Sequence, residues 1–324
     1  MSLPRRTFLT LAAAAALRTA SPARAAPAYP TRPVRIVVGY PPGGITDVIA
    51  RLIAPWLSER LGQQFFVENR PGASSNVAAD AVVRAVPDGH TLFLLSATNA
   101  YNVTLYDNLT FDLARDLAPV ASIGRDAFVL VIIPSVPAQS GADFIAYARA
   151  NPGKINLATS GTGSASDLYG VLFKAMAGIE LTTVHYRGVG QTLPDLIGGR
   201  VQAIFLPVAS ALGHIRDGKL RPLGVTTATR RDVLPDVPPI GDFVPGYEAT
   251  DWTGIGAPAR TPAEIVTLLN GEINAALADP AFIARLAALG VEPFASTPAE
   301  FARFIAAYTA TWGEVIRAAH LKPE

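Results

Sequence analysis

The chain has 324 residues, half of them hydrophobic and 16% charged, with a formal charge of +1 and no cysteine. The lack of cysteine excludes disulfides, thiolate catalysis and cysteine-ligated metal sites. A charge this close to zero, with no polybasic run in the body of the chain, excludes nucleic acid and an anionic membrane surface as natural partners.

Chain order begins with a leader. Arg5 and Arg6 precede an apolar run from Phe8 to Leu17, and Ala23-Arg24-Ala25 places small residues at the two positions a signal peptidase reads. A charged start, a short apolar stretch and A-x-A predict a secretory signal peptide over residues 1–25 and hence a periplasmic protein. The run is shorter than the roughly 20 apolar residues a membrane span needs. Arg5-Arg6 with Phe8-Leu9 also resemble a twin-arginine signal, a reading open beside general secretion. Cleavage after Ala25 removes Arg5, Arg6, Arg18 and Arg24 and takes the formal charge from +1 to −3. The mature chain, long for one core, suits two lobes.

A β-branched run over 34–38 predicts a buried strand, stopped by Tyr40-Pro41-Pro42-Gly43-Gly44. A helix follows with Val48, Ile49, Leu52, Ile53, Trp56, Leu57 and Leu61 on one face. Thr46 or Asp47 is expected to cap it, Gly62 to end it and Pro55 to kink it. Further strands are predicted over 65–67, 91–95, 128–133, 155–158, 182–184, 201–206 and 223–226. Helices are predicted over 144–150, 166–177 and 193–197, and in the C-terminal third over 262–277, 280–289 and 298–318. The proline-rich stretch 235–245 reads as a surface connection near a lobe boundary. Strands alternating with helices predict an α/β fold of mostly parallel sheets flanked by helices.

Catalytic motifs each miss a required residue. His90, His185, His214 and His320 have no partner at metal-ligand spacing, so no metal site is expected. Gly213 to Lys219 resembles a phosphate-binding loop but continues with Leu220 where Ser or Thr is needed. Gly161-Thr162-Gly163 lacks the third glycine of a dinucleotide fingerprint, since Ser166 stands there, so no cofactor is expected. No G-x-S-x-G elbow is present.

Four strand-to-helix loops are built differently. Tyr40, Pro42, Gly43, Gly44 and Thr46 let a backbone approach a ligand closely and lead into a helix whose unpaired N–H groups favour a carboxylate. Ser160, Gly161, Gly163 and Ser164 repeat the case with hydroxyls, while Asp167 fits a capping box with Ser164. Ser96, Ala97, Thr98 and Asn99 form a third polar strand end. Tyr186, Arg187 and Gly188 form a fourth, where Arg187 is either a ligand cation or a solvated residue. In open α/β sheets ligands bind at the carboxyl ends of strands, where all four loops fall.

With these loops assembled, the chain resembles the solute receptors of tripartite tricarboxylate transporters, the Bug family. The likeness rests on Tyr40 to Gly44 with Asp47 and Ala50-Arg51, on Val67 to Ala73, Pro87 to Leu92, Asn151 to Lys154, Ser160 to Ser164, Tyr186 to Gly188, Gly198 to Val201, Gly218 to Leu220 and Leu234 to Pro238. The resemblance implies a two-lobed, type II periplasmic-binding-protein-like fold, with residues 26–128 and 250–324 in one lobe and 129–249 in the other, closing on a small carboxylate. It implies a non-enzymatic, monomeric receptor that delivers ligand to membrane transporter subunits, its carboxylate held by loop backbone groups. Leu206-Pro207 stands where the family often has Asp, and Asp167 where it often has His. Both are expected near the cleft and suggest a ligand with a less polar end. An exported enzyme on the same architecture, and a receptor that reports occupancy to a sensor kinase, remain alternatives.

Overall fold

The computed structural model describes residues 29–186 and 188–322. The leader predicted over 1–25, and Arg187, lie outside the described residues. The first part of the chain runs β1 (Val34–Val38), α1 (Ile45–Leu61), β2 (Phe65–Asn69), α2 (Asn76–Val83), β3 (Thr91–Ser96), α3 (Ala97–Leu105), α4 (Leu113–Asp116) and β4 (Leu117–Asp126). The second comprises β5 (Phe128–Ile132), α5 (Gly141–Ala150), β6 (Asn156–Thr159), α6 (Ala165–Ala177), β7 (Thr182–His185), α7 (Val189–Ile197), β8 (Ala203–Pro207), α8 (Val208–Arg216) and β9 (Arg221–Val225). The chain then returns through β10 (Asp251–Pro258), α9 (Ala263–Ala278), α10 (Pro280–Ala288), β11 (Val291–Pro293) and α11 (Pro298–Ala318).

Two open sheets result. One has the order β11-β4-β10-β3-β1-β2 and the other β7-β6-β8-β5-β9. In the first sheet β1 lies between β2 and β3, parallel to both, and its run of Val and Ile is almost fully buried, as a strand covered by helices on both faces requires. β10 runs antiparallel to both β3 and β4. In the second sheet β6 pairs in parallel with β7 and β8, and β5 is antiparallel to β8 and β9. The two sheets are the two lobes. β4 passes into β5 through Ala127, and the chain returns to the first sheet at Asp251, so both crossings lie side by side where Asp126 and Asp251 are register partners.

One apolar core packs α1, α9 and α10 against the first sheet; the other fills the second lobe and continues through Tyr101, Trp252, Phe301 and Trp312 into the first. The continuity comes from α11. Thr297 and Glu300 form its capping box, Pro298 occupies its first turn, and its Trp312 packs 5.4 Å from the ring of Tyr101 in α3 and 5.4 Å from that of Tyr169 in α6. Among the described residues no helix is long and apolar enough to cross a membrane.

The structure departs from the expectations in identifiable places. α1 starts at Ile45 with Gly44 at the N-cap and no side-chain cap, so Thr46 and Asp47 sit inside the first turn; Gly62 does end the helix, in the left-handed region at φ 71°. The stretch 235–245 is not a surface connection alone: Val237, Ile240 and Val244 are buried, and the N–H of Val225 in β9 bonds to Pro238 O. Strands β4, β10 and β11 and helices α2 and α3 were not anticipated. Their glycines and polar residues break the periodic apolar pattern.

Candidate functional site

The carboxyl ends of both sheets meet at a cleft cavity of about 180 Å³. This lies below the roughly 300–1,000 Å³ of pockets for drug-sized ligands, so the cavity suits a small molecule. The first lobe contributes Tyr40, Ile45, Thr46, Ser96, Thr98, Asp126, Asp251 and Thr253, and the second Phe128, Ser160, Ser164, Ala165, Ser166, Val189, Phe205 and Pro207. A larger hollow of about 620 Å³ lies between α3, α4 and α11, but its wall is mostly apolar and shares no lining residue with the cleft.

Among the helix N-termini that line the cavity are that of α1 from one lobe and that of α6 from the other. Each carries the positive end of a helix dipole. Both are held by one device. Gly43 N–H donates to Asp47 Oδ2 at 2.9 Å, and Gly163 N–H donates to Asp167 Oδ2 at 2.9 Å, in each case from a glycine with positive φ to an aspartate four residues on. Asp47 is held further by Arg51 Nε (2.9 Å) and by Asn69 Nδ2, which donates to Asp47 Oδ1 (2.8 Å) and to Tyr40 O (3.0 Å). Burial alone would raise the Asp47 pKa, but the bonds from Arg51, Gly43 and Asn69 outweigh it and hold it at about 2. Asp167 therefore serves a backbone donor, as its place after Ser164 suggests, although the donor is Gly163 rather than the N-cap residue itself. Ser164 Oγ accepts the Asp167 N–H at 3.3 Å.

A hydroxyl cluster lines the second-lobe side. Ser166 Oγ accepts the Ser160 N–H (2.8 Å) and lies within 2.9 Å of Ser160 Oγ and 3.1 Å of Ser164 Oγ. On the first-lobe side Tyr40 Oη and Ser96 Oγ are 3.2 Å apart. Among the described residues, Asp126 Oδ1 and Thr253 Oγ1 are buried at the cavity without a hydrogen-bond partner. Such atoms are rare in folded proteins and mark places where a ligand or water completes the bonding.

Of the residues predicted for the site, Tyr40, Thr46, Thr98, Ser160, Ser164 and Pro207 line the cavity. Pro42, Gly43 and Gly44 are exposed beside it. Ala97 is buried and its N–H bonds to the Asp251 carboxylate. Asn99 closes a capping box on Ser96, accepting the Ser96 N–H at 2.9 Å. Gly161 and Gly163 shape the loop through φ of 134° and 71°. Tyr186 donates to Asp195 Oδ2 at 2.9 Å, and Gly188 is the N-cap of α7; neither is in the cavity wall. Of the Leu206-Pro207 pair, Leu206 is fully buried in the second-lobe core and does not line the cavity, whereas Pro207 does. Ser96, at the start of the third polar loop, lines the cavity too, and the apolar portion of the wall comes from Ile45, Phe128, Val189 and Phe205, which sequence reasoning missed along with Ser166, Thr253, Asp126 and Asp251.

The fold and site define a class: two α/β lobes joined at adjacent crossings, with helix N-termini and hydroxyls from both lobes around a small cavity. The family model for the tripartite tricarboxylate transporter family receptor matches residues 49–321. The chain is 36% identical over 292 residues to protein BugT of Bordetella pertussis, covering 89% of this chain and 90% of that one. Among solved structures, R. palustris Rpa4515 with adipate superposes with a TM-score of 0.81 at 38% identity, over 91% of this chain and all of that one. MatC (Rpa3494) from Rhodopseudomonas palustris with bound malate gives a TM-score of 0.77 at 30% identity, over 89% of this chain and all of that one. The chain belongs to the tripartite tricarboxylate transporter receptor family, whose members are periplasmic solute-binding receptors and not enzymes.

Proposed function

We propose that the mature chain is a monomeric periplasmic receptor that captures a short dicarboxylate in the cleft and delivers it to the membrane subunits of a tripartite transporter. The observation that carries this reading is the convergence of the α1 and α6 N-termini, one from each lobe, on a cavity with no Lys, Arg or His among its described lining residues. An anion held this way is bound by backbone N–H groups, helix dipoles and hydroxyls, and both lobes must contribute. Residues 26–128 with 250–324 and residues 129–249 are the proposed moving bodies, with hinges at Ala127 and before Asp251. The adipate and malate bound to the two solved relatives support the ligand class, and the apolar patch of Ile45, Phe128, Val189 and Phe205 favours an aliphatic chain between polar ends.

The test is titration calorimetry of the mature protein against malate, adipate, an aromatic acid, an amino acid and a neutral sugar, with each ligand assayed for turnover. Binding of aliphatic dicarboxylates in preference to the others, without conversion, is expected. Preference for a neutral or cationic ligand overturns the ligand class, and conversion overturns the receptor reading. Size-exclusion chromatography with light scattering tests the monomer.

A further inference from the structure

We propose that Asp126 and Asp251 share a proton at the floor of the cleft and that Asp126 donates it in a hydrogen bond to a carboxylate oxygen of the ligand, which couples capture to pH. This rests on the reading of the chain as a carboxylate receptor.

The two aspartates are register partners on adjacent antiparallel strands, and both line the cavity. Their environments differ. Asp251 accepts the N–H of Trp252 at 2.9 Å and the N–H of Ala97, the bonding of an ionised carboxylate. Asp126 is 5% exposed and its Oδ1 has no partner among the described residues. A proton on the pair therefore belongs on Asp126, which is then a neutral donor facing the ligand. An ionised Asp126 would set two carboxylates and a third from the ligand against one another in a buried space, an arrangement that buried like charges avoid by holding a proton.

Among the described residues the surrounding groups supply no substitute. Arg231 is the cation that acts on Asp126, and it is already ion-paired with Glu292 of β11. Arg125, the chain neighbour on β4, lies over the rings of Phe294 and Phe304, 3.6 and 4.9 Å from their centroids, with Glu248 and Glu292 as its charged neighbours. Tyr308 of α11, Tyr101 of α3, Tyr169 of α6 and Tyr40 are the remaining titratable groups around the pair, and burial keeps all four phenols neutral by raising their pKa. Burial, then the charge of Asp251 and against the pull of Arg231, pushes Asp126 well above the carboxylate range; burial, against its two N–H bonds, raises Asp251 to about 6. The pair thus keeps a proton above the ordinary carboxylate range.

The sign follows. A bound anion raises both values further, so binding takes up protons and affinity falls as pH rises through the range in which the pair ionises. Calorimetry with malate and adipate in buffers of different ionisation enthalpy, between about pH 6 and 9 where ligand carboxylates are ionised, is expected to show proton uptake and an affinity loss of roughly tenfold or more. Asp126→Asn, whose amide donates without titrating, is expected to bind within a few fold of wild type at about pH 6 and to lose little by about pH 9. Asp126→Ala should bind more weakly throughout. Flat affinity with no proton uptake in the wild type, or an unchanged pH slope in Asp126→Asn, overturns the proposal and leaves the receptor reading intact. Failure of wild type to bind either acid at any pH overturns both. If Asp126→Asn does not fold, wild-type proton uptake alone decides.

Discussion

Asp47 shows how much of the site is carried by single side chains that never touch the cavity. It is almost fully buried, and its carboxylate collects donors from Gly43, Arg51 and Asn69. Because its folded pKa of about 2 lies below the ordinary value of 3.8, its contribution is present above pH 4 and lost as pH falls from about 4 to about 2. Asp47→Ala is expected to cost about 2 kcal/mol at neutral pH, read from urea denaturation, with the difference from wild type shrinking in acid. Ser166 is the corresponding hub on the other lobe, joined to Ser160 and Ser164. Ser166→Ala is expected to cost about 1 kcal/mol of stability while weakening ligand binding, since two cavity hydroxyls and the Ser160 N–H lose their shared partner. Both residues lie in short polar strings after glycine, Gly43-Gly44-Ile45-Thr46-Asp47 and Gly163-Ser164-Ala165-Ser166-Asp167. The glycines, hydroxyls and helix start were legible in the sequence. The direction of each side chain was not, because it depends on which turn residue takes positive φ: Gly43 and Gly163 do, so the aspartate reaches back one residue beyond the N-cap.

At the scale of elements, periodicity served the parallel strands and helices, whose apolar runs are continuous, and failed for β10 and its partner β4. Asp251-Trp252-Thr253-Gly254-Ile255-Gly256 carries two glycines that read as a loop, yet it forms the centre of a sheet. The register with β4 shifts at Thr253/Gly254 and at Ile255/Gly256. At Gly254 a Cβ would lie 2.4 Å from the Phe301 ring and 2.7 Å from Ala121 O, so the glycine admits close packing of α11 and β4 rather than a turn. Gly254→Ala is expected to destabilise by about 1–3 kcal/mol, measured by thermal unfolding, because ring and backbone must both give way. Missing this pair of strands also concealed Asp126 and Asp251. Each is an ordinary acidic residue in the sequence, and only the pairing of β4 with β10 brings them together at the cleft floor.

Across the whole molecule the hinge and the core have to be compatible. The crossings at Ala127 and Asp251 are adjacent, and in the proposed closure the lobes rotate about that edge of the cleft while the far edge opens. On the other side α11 bridges the lobes: Trp312 packs against Tyr101 of the first and Tyr169 of the second, and the core that contains them is continuous. A continuous core couples the stability of the lobes, and calorimetry of the ligand-free protein is therefore expected to show one cooperative transition rather than two. Trp312 is the side chain on which that coupling turns. Trp312→Ala is expected to remove about 3–5 kcal/mol and to separate the transition into two, the second lobe melting first because it loses the aromatic contact through Tyr169 while the first lobe retains its α1–α9–α10 core. A saturating dicarboxylate, bound by both lobes, should draw the two transitions of the variant together, since a ligand at about 100 times its Kd adds roughly 2.7 kcal/mol to the closed form alone. A single transition in Trp312→Ala, shifted but undivided, would mean that the crossings by themselves make the lobes one cooperative unit and that α11 is packing without a role in their coupling.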